Sequence, residues 1–321
     1  MILIINNTAK FIFKMLVLLL LSITALYFLY IYVFCVKVNK TSFTHNDIDK
    51  VYVINLDKSK DRREVYEKAL KNTFGETFFN QKIENVRLRG TYGKEDLIFE
   101  EKKTGIKISA QQIVNKEVEL ALNTDYKVYD KNEPEFFINY NSRKPYNLRD
   151  KKHLTMGEFG CIMSHLRAVN DIVKNDYDMA IVFEDDFNII KPKNFYKNFD
   201  SQMKNAPDNF DMIKIDYNPD DHHAFSNFIR QIIKGYNPDF DNLQARENTW
   251  MGTAYIVSNK GAKKVIDFIK QYTFTPRDPI DSLYYIEMPR NYNFQNIWML
   301  KTPLIDQNRK DTKSLINKSG I

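Results

Sequence analysis

Residues 178–189, DMAIVFEDDFNI, place three consecutive acids at the end of an apolar run. The run 178–183 predicts a buried strand, and Glu184, Asp185 and Asp186 follow it directly. Alternation along an extended chain puts Glu184 and Asp186 on one side and Asp185 on the other. Ligands in open α/β sheets bind beyond the carboxyl ends of strands, and clustered carboxylates repel unless a cation such as Mg²⁺ or Mn²⁺ neutralises them. The stretch is therefore a candidate metal site, and a solvated acidic loop or a helix cap stays open as the alternative.

The sequence on both sides of this stretch alternates between helix and strand patterns. Just before it, apolar residues recur every three or four positions on one face of a predicted helix, at Phe159, Met163, Leu166, Val169 and Val173. Further strands are predicted at residues 51–56, 211–216 and 253–257, and further helices at residues 58–72 and 260–270, the last with Ser258 as N-cap. Such alternation predicts an α/β fold with a mainly parallel sheet covered by helices on both faces.

The region 75–150 shows no regular pattern and is rich in charged and aromatic residues. We predict a single helix there, near residues 110–122, and a loop-like segment over 130–152. No repeat or low-complexity tract follows residue 36.

The N-terminal part of the chain carries a long uncharged stretch, residues 15–36. As a helix it would rise about 33 Å, which is enough to cross the hydrocarbon core of a bilayer. Its far end is bulky and aromatic, unlike the small residues of a signal-peptide cleavage site. We therefore predict a cytosolic tail at 1–14, a single transmembrane anchor at 15–36, a polar stem at 37–49 and one domain at 50–321. Lysines flank both ends of the span, so the lumenal orientation of the domain (type II) rests on the shortness of the tail.

Charge and cysteine content exclude several classes of function. The formal charge of +6 is spread along the chain without an arginine-rich tract, which argues against a nucleic-acid partner. Two cysteines, Cys35 and Cys161, can form neither a disulfide framework nor a metal site built on thiolates alone. Cys161 is interpreted as a small core residue. The pair His222-His223 is interpreted as part of an exposed loop, and Trp250 as a core residue or a platform for a sugar ring.

Five blocks, in order along the chain, resemble glycosyltransferase family 25, the family of lipopolysaccharide and procollagen galactosyltransferases. They are VYVINLDKSKDRR (51–63), LTMGEFGCIMSHLRAV (154–169), FEDD (183–186), GTAYIVSNKGAKKV (252–265) and DPID (278–281). The resemblance implies a GT-A fold, a Rossmann-like sheet that binds a UDP-sugar and a divalent metal. Gly90-Thr91 departs from an Ala-x-Asp-Gly element that the family often has, and residues 75–150 and 220–248 match poorly.

The resemblance also suggests roles for particular residues. Glu184 and Asp186 are expected to bind Mn²⁺ or Mg²⁺, and Asp281 to act as the general base, with Asp278 as its competitor. The residues expected to hold the sugar nucleotide are Asn55, Arg62, Arg63, Ser164, His165 and Asp185. For each the plain alternative stays open: a surface arginine, a helix-packing residue, or a helix N-cap in the case of Asp281.

The implied activity is the transfer, with inversion, of a hexose (galactose is favoured) from UDP to a hydroxyl acceptor on a glycan or a collagen-like protein. The alternative is a catalytically inactive, membrane-tethered binding domain of the same fold. A metal-dependent phosphatase or nuclease would need further ordered His and Asp motifs, which the sequence lacks.

Overall fold

The structure is a computed structural model, and it describes residues 14–25, 27, 40–41, 43–82, 87–142, 153–207, 209–216, 240–242, 253–276, 279–291, 294, 296–300 and 302–307. Residues 14–25 are helical and exposed. Among the described residues, no helix combines the length and the apolar character that crossing a membrane requires. The remainder of the predicted anchor lies outside the described residues, as do His222, His223, Trp250 and Asp278.

A seven-stranded sheet forms the centre of the described chain, in the order β12-β15-β11-β13-β8-β2-β3. Its strands are β2 (Lys50–Asn55), β3 (Arg87–Arg89), β8 (Met179–Glu184), β11 (Met212–Lys214), β12 (Phe240–Asn242), β13 (Ala254–Ser258) and β15 (Ile297–Leu300). The predicted strands at 51–56, 178–183, 211–216 and 253–257 are confirmed within one or two residues at each end.

The sheet is mixed, which corrects the prediction of a mainly parallel one. β3, β2 and β8 run parallel, as do β11 and β15. However, β13 is antiparallel to both of its neighbours, β8 and β11, and β12 is antiparallel to β15. Hydrophobic patterns locate a strand but carry no information about its direction, which depends on how the connecting segments return to the sheet.

Helices cover the two faces of this sheet, as the alternating pattern predicts. They are α1 (Lys60–Lys82), α2 (Gly93–Asp96), α3 (Ala110–Val114), α4 (Met156–Lys174), α5 (Phe195–Met203), α6 (Asn259–Gln271), α7 (Ile280–Ser282) and α8 (Met288–Asn291), with short 3₁₀ turns at His45–Asp47 and Pro192–Asn194 and a π turn at Leu283–Glu287. In β2, Val51 and Val53 pack into one apolar core with α1 and α5, while Tyr52 packs into the other with α4 and α6. Because successive side chains of a strand point to opposite faces of the sheet, β2 contributes residues to both cores.

The helix that precedes the acidic strand is fixed at its start by a capping box. The Thr155 hydroxyl accepts from the Glu158 N–H, and the Glu158 carboxylate accepts from the Thr155 N–H. Similarly, Ser258 accepts from the Gly261 N–H and begins α6, as predicted. Long α1 is interrupted at Gly75, whose φ of 73° lies in the left-handed region that glycine tolerates.

A second sheet lies mostly in the region 75–150, for which no strand is predicted from sequence. Its strands are β4 (Leu97–Glu101), β5 (Lys107–Ser109), β6 (Asp125–Asp130), β7 (Phe137–Asn141) and β14 (Thr273–Phe274), in the order β14-β7-β6-β4-β5. The expected helix near 110–122 is only Ala110–Val114, and the expected loop over 130–152 contains β7. In β6, Tyr126 and Val128 are buried while Lys127 between them is partly exposed. This alternation of aromatic and charged residues is typical of a half-buried antiparallel strand.

Two short antiparallel ribbons complete the described fold. β1 (Lys40–Thr41) pairs with β10 (Ala206–Pro207), and β9 (Phe187–Ile189) pairs with β16 (Ile305–Gln307). The second ribbon extends directly from the acidic stretch and carries the C-terminal part of the described chain to it.

Candidate functional site

The carboxyl ends of the three parallel strands β3, β2 and β8 meet at one edge of the sheet and border a cavity of about 330 Å³. The cavity is lined by residues that follow these strands, by one side of α4 and by Gln307: Ile54, Leu56, Lys58, Arg62, Thr91, Tyr92, Gly93, Lys94, Gly157, Gly160, Cys161, Ser164, His165, Glu184, Asp185, Asp186 and Gln307. A cleft beyond the strand ends is the usual position of a ligand in an open α/β sheet.

Asp185 is held in place by residues of β2 and α1. Its two carboxylate oxygens accept hydrogen bonds from the Arg62 guanidinium at 2.6 Å and from the Asn55 side-chain amide at 2.7 Å. Both Asp185 and Asn55 are buried. Burial raises the pKa of Asp185 above its ordinary value, although the charge of Arg62 and the two hydrogen bonds act in the opposite direction. Asp185 therefore joins Asn55 and Arg62, and all three were assigned to donor binding from the sequence.

Glu184 faces α4 and contacts two of its side chains. Its Oε1 atom lies 3.2 Å from His165 Nε2 and accepts from the Cys161 thiol at 3.7 Å. Burial alone would raise the pKa of Glu184, but the contacts with His165 and Cys161 outweigh it and lower that pKa below its ordinary value. Burial, together with the charge of Glu184, raises the pKa of the Cys161 thiol well above its ordinary value.

Asp186 has an incompletely satisfied carboxylate. Its Oδ2 accepts from the Gln307 side-chain amide at 3.2 Å, whereas its buried Oδ1 has no hydrogen-bond partner in the described part of the chain. Burial, together with the charges of Glu184 and Asp185, raises the pKa of Asp186 to about 7. A buried carboxylate oxygen without a donor, next to two further carboxylates, has the chemistry that a hard divalent cation would satisfy. The residues present therefore fit a metal ion.

Ser164 joins α4 to the turn that follows β3. Its hydroxyl accepts from the Thr91 N–H at 2.8 Å and donates to the Gly160 carbonyl at 2.6 Å. The helix approaches this turn so closely that a Cβ added at Gly160 would lie 2.6 Å from the Thr91 carbonyl oxygen and 2.8 Å from the Gly93 nitrogen. Ser164 and Gly160 thus hold α4 against the turn at Gly90-Thr91, where the sequence departs from the Ala-x-Asp-Gly element.

Three of the candidate residues lie outside the cavity lining: Asn55, which contacts Asp185 from behind it, Arg63 and Asp281. Arg63 points along the surface of α1 and pairs with Glu67 at 2.7 Å. Asp281 is the second residue of α7 and is partly buried; the N-cap of α7 is Pro279, which corrects the alternative interpretation of Asp281 as a helix N-cap. The charge of Asp281 contributes to the raised pKa of both Cys161 and Asp216. It therefore lies within electrostatic reach of the cavity wall.

Lys58 and Gln307 are among the cavity residues that are absent from the candidates drawn from sequence. Lys58 lies over the ring of Tyr92, with its amino nitrogen 3.1 Å from the ring centroid. Lys58 belongs to the quoted block 51–63, so its position after a strand end was available as a signal. Gln307 approaches Asp186 only through the pairing of β16 with β9, and we find no local sequence pattern that would have identified it.

Comparisons with known proteins identify a family and similar sequences. The family model of glycosyltransferase family 25, described as an LPS biosynthesis protein, matches residues 48–283. The lipooligosaccharide biosynthesis protein lex-1 of Haemophilus influenzae is 27% identical over 143 residues, which are 44% of this chain and 46% of that protein. Procollagen galactosyltransferase 2 of Homo sapiens is 25% identical over 127 residues, 39% of this chain and 18% of that protein.

The matched segment spans less than half the length of each of these two relatives. The family model, in contrast, covers well over half of the 321 residues and includes all the strands and helices that border the cavity except the ribbon strand carrying Gln307. This chain therefore belongs to glycosyltransferase family 25.

Proposed function

We propose that the chain is a metal-dependent, inverting glycosyltransferase of GT-A type that moves a hexose, with galactose favoured, from a UDP-sugar to a hydroxyl acceptor. The observation that carries this proposal is a buried Asp186 oxygen that has no donor among the described residues, beside Glu184, at the edge of a cavity of about 330 Å³. Family membership and the printed names of both relatives, one in lipooligosaccharide biosynthesis and one a procollagen galactosyltransferase, support it.

In this proposal Glu184 and Asp186 hold Mn²⁺ or Mg²⁺. When bound, the ion would supply positive charge to the diphosphate leaving group. The side chain of Glu184 is kept ionised by its contacts with His165 and Cys161, so it is ready to act as a ligand.

Cationic side chains on the cavity wall support a diphosphate-containing donor. Lys58, Arg62 and Lys94 all line the cavity. The Arg62 guanidinium is oriented by its bond to Asp185, which in turn is held by Asn55. A guanidinium fixed in this way points its remaining N–H groups in a defined direction. That arrangement suits paired hydrogen bonds to two oxygens of a phosphate group. We assign Arg62, Asn55 and Asp185 to positioning the nucleotide.

Asp281 is proposed as the base that removes the proton from the acceptor hydroxyl as the hydroxyl attacks the anomeric carbon. Inversion needs the base on the side of the sugar away from the leaving diphosphate. Asp281 is outside the lining of the donor cavity but close enough to raise the pKa of Cys161, a residue of its wall. The position of Asp281 outside the cavity proposed for the donor supports its assignment as the base that acts on the acceptor hydroxyl.

The acceptor is proposed to be a sugar of a surface glycan or a hydroxyl of a collagen-like protein. We further propose that residues 15–36 anchor the chain and that the domain is lumenal. Digestion of the domain by protease in sealed membrane vesicles, without detergent, would contradict that orientation.

The decisive experiment is a sugar-nucleotide hydrolysis screen with the full chain and Mn²⁺, which also separates an active enzyme from an inactive binding domain of the same fold. We expect UDP release, its loss in excess chelator, and its recovery on addition of Mn²⁺. Asp186→Asn should abolish release and weaken UDP binding in the presence of Mn²⁺ while leaving the unfolding midpoint within a few degrees.

A matched control is Asp176→Asn, because Asp176 has an 82% exposed side chain and a φ of 51°, which asparagine tolerates. The control should retain full activity. Undiminished UDP release in excess chelator would refute metal dependence, and the absence of release from every donor would favour the binding domain.

A further inference from the structure

The cavity wall contains a second set of potential metal ligands, different in chemistry from the Glu184–Asp186 pair. Cys161 and His165 lie one turn apart on the same face of α4, and both face Glu184 at the end of β8. One ligand atom from each of the three residues lies within 4.8 Å of the other two. A thiol, an imidazole and a carboxylate form a ligand set that zinc prefers, whereas Mg²⁺ prefers oxygen alone.

The distances between these atoms already approach those of a zinc centre. Tetrahedral zinc with bonds of about 2.3 Å to sulfur and about 2.1 Å to nitrogen or oxygen places its ligand atoms roughly 3.4 to 3.6 Å apart. Glu184 Oε1 lies 3.2 Å from His165 Nε2 and 3.7 Å from Cys161 Sγ. The sulfur and nitrogen atoms lie no more than 4.8 Å apart, so their distance would have to shorten by at most about 1.2 Å, a movement within reach of a small rotation of the two side chains.

His165 is also oriented as a zinc ligand normally is. Its Nδ1 atom lies 2.9 Å from the Tyr255 hydroxyl, leaving Nε2 directed at Glu184. Histidines that bind metals generally use one ring nitrogen for the ion and donate the other N–H to a neighbouring acceptor. Tyr255 is fully buried, so this outer contact is fixed by the core.

We propose that Cys161, His165 and Glu184 form a zinc site whose fourth position opens to the cavity. Binding replaces the thiol proton, which passes to solvent, by a zinc–sulfur bond. If the proposed function is correct, Glu184 is shared between this site and the catalytic ion, so zinc would inhibit transfer by removing a ligand from that ion.

The site can be tested with Co²⁺ as a spectroscopic substitute for zinc in the full, detergent-solubilised chain. A cobalt–thiolate bond gives a charge-transfer band in the near ultraviolet, which carboxylate ligands alone do not. We expect one equivalent of Co²⁺ to produce this band and Zn²⁺ to displace it. Cys161→Ser should abolish the band and weaken zinc binding at least about tenfold, since even outer contacts of a metal site are worth that much.

Two control variants make the assignment specific. Cys35→Ser alters the other cysteine of the chain and should leave the band unchanged. Asp186→Asn should also preserve the band, because Asp186 is not among the three ligands. A band absent from the parent chain, retained in Cys161→Ser, or lost in Asp186→Asn would overturn the proposal.

The spectroscopic test requires no catalytic activity, so its outcome is independent of whether the chain transfers sugar. Where UDP release is observed, micromolar zinc should inhibit it in the parent chain. For each protein the half-inhibitory zinc concentration is measured against its own zinc-free rate. This concentration should be at least about tenfold higher for Cys161→Ser than for the parent chain. Equal sensitivity of the two proteins would contradict inhibition through this site.

Discussion

A buried ion pair at the end of β11 allows a quantitative prediction about stability. Lys214, at the end of β11, and Asp216 are both fully inaccessible, and the Lys214 amino group donates to Asp216 Oδ1. The other oxygen of Asp216 accepts from the Thr253 N–H at 3.0 Å. Removing one member of such a pair leaves an uncompensated charge in the core, which costs about 3 to 5 kcal/mol. We therefore expect Lys214→Met to lower the free energy of unfolding by that amount at pH 7.5.

The loss should depend on pH in a defined direction. Burial raises the pKa of Asp216 from 3.8 to about 6, a rise that the charge of Lys214 limits and that of Asp281 increases. The folded chain therefore binds the proton of the Asp216 carboxyl group more tightly than the unfolded chain. This tighter binding stabilises the fold below pH 4, and the stabilisation is lost as the pH rises through 6. At about 1.4 kcal/mol per pH unit, this contribution is about 3 kcal/mol. Without Lys214 the pKa of Asp216 rises further. The difference in the free energy of unfolding between Lys214→Met and the parent chain should therefore be smallest below pH 5, where Asp216 is protonated in both folded proteins.

Urea unfolding, followed by tryptophan fluorescence, is a suitable assay because Trp298 is buried on the strand next to β11. The double variant Lys214→Met/Asp216→Asn removes both charges and keeps an oxygen for the Thr253 N–H. It should recover at least half of the lost stability. Lys263→Met, which breaks an exposed pair, should change stability by less than about 1 kcal/mol. A loss in Lys214→Met that is the same at pH 5 and pH 7.5, or no recovery in the double variant, would refute the reasoning.

Three further variants test the site directly. Asp281→Asn should reduce kcat by on the order of 10²–10⁴ with little change in UDP affinity measured by calorimetry; near-normal turnover would contradict the role of Asp281 as the base and make Asp278 the candidate. Gly160→Ala should lower the free energy of unfolding by about 1 to 3 kcal/mol in urea titrations, because the new Cβ meets backbone atoms of the turn at Thr91; an unchanged midpoint would show that α4 can shift without cost. Arg62→Met should weaken UDP binding at least tenfold. Arg62→Lys should retain only part of the affinity, since a single ammonium cannot reproduce the guanidinium geometry. Full affinity in Arg62→Lys would contradict the positioning of the nucleotide by the guanidinium.

Much of the architecture around the site was predictable because it depends on local patterns. The helix Met156–Lys174 shows its apolar face and its capping residue within a few positions, and the acidic strand shows an apolar run followed by charges. The direction of β13 and the second sheet were not predicted. A strand's direction depends on its connections, and the strands of the second sheet are only two to six residues long. A hydrophobic pattern over so few positions is difficult to distinguish from an irregular segment.

The candidate site was predicted as a collection of residues, and the structure supplies their contacts. Asn55, Arg62, Ser164, His165 and the three acids do line or adjoin one cavity, although they come from blocks up to 130 positions apart. The sequence places Glu184 and Asp186 on the same side of a strand and says nothing about their partners.

By itself, the sequence determined that three carboxylates end a buried strand and that a helix bearing Ser164 and His165 precedes that strand, because both features follow from the periodicity of neighbouring residues. Only the tertiary structure decided that Asp185 pairs with Arg62, that Glu184 contacts His165 and Cys161, and that one buried oxygen of Asp186 meets no donor in the part of the chain that the structure describes. These differences among three adjacent acids arise from side chains brought together by sheet order and ribbon pairing, and the free energy of a buried charge depends on those neighbours rather than on its position in the chain.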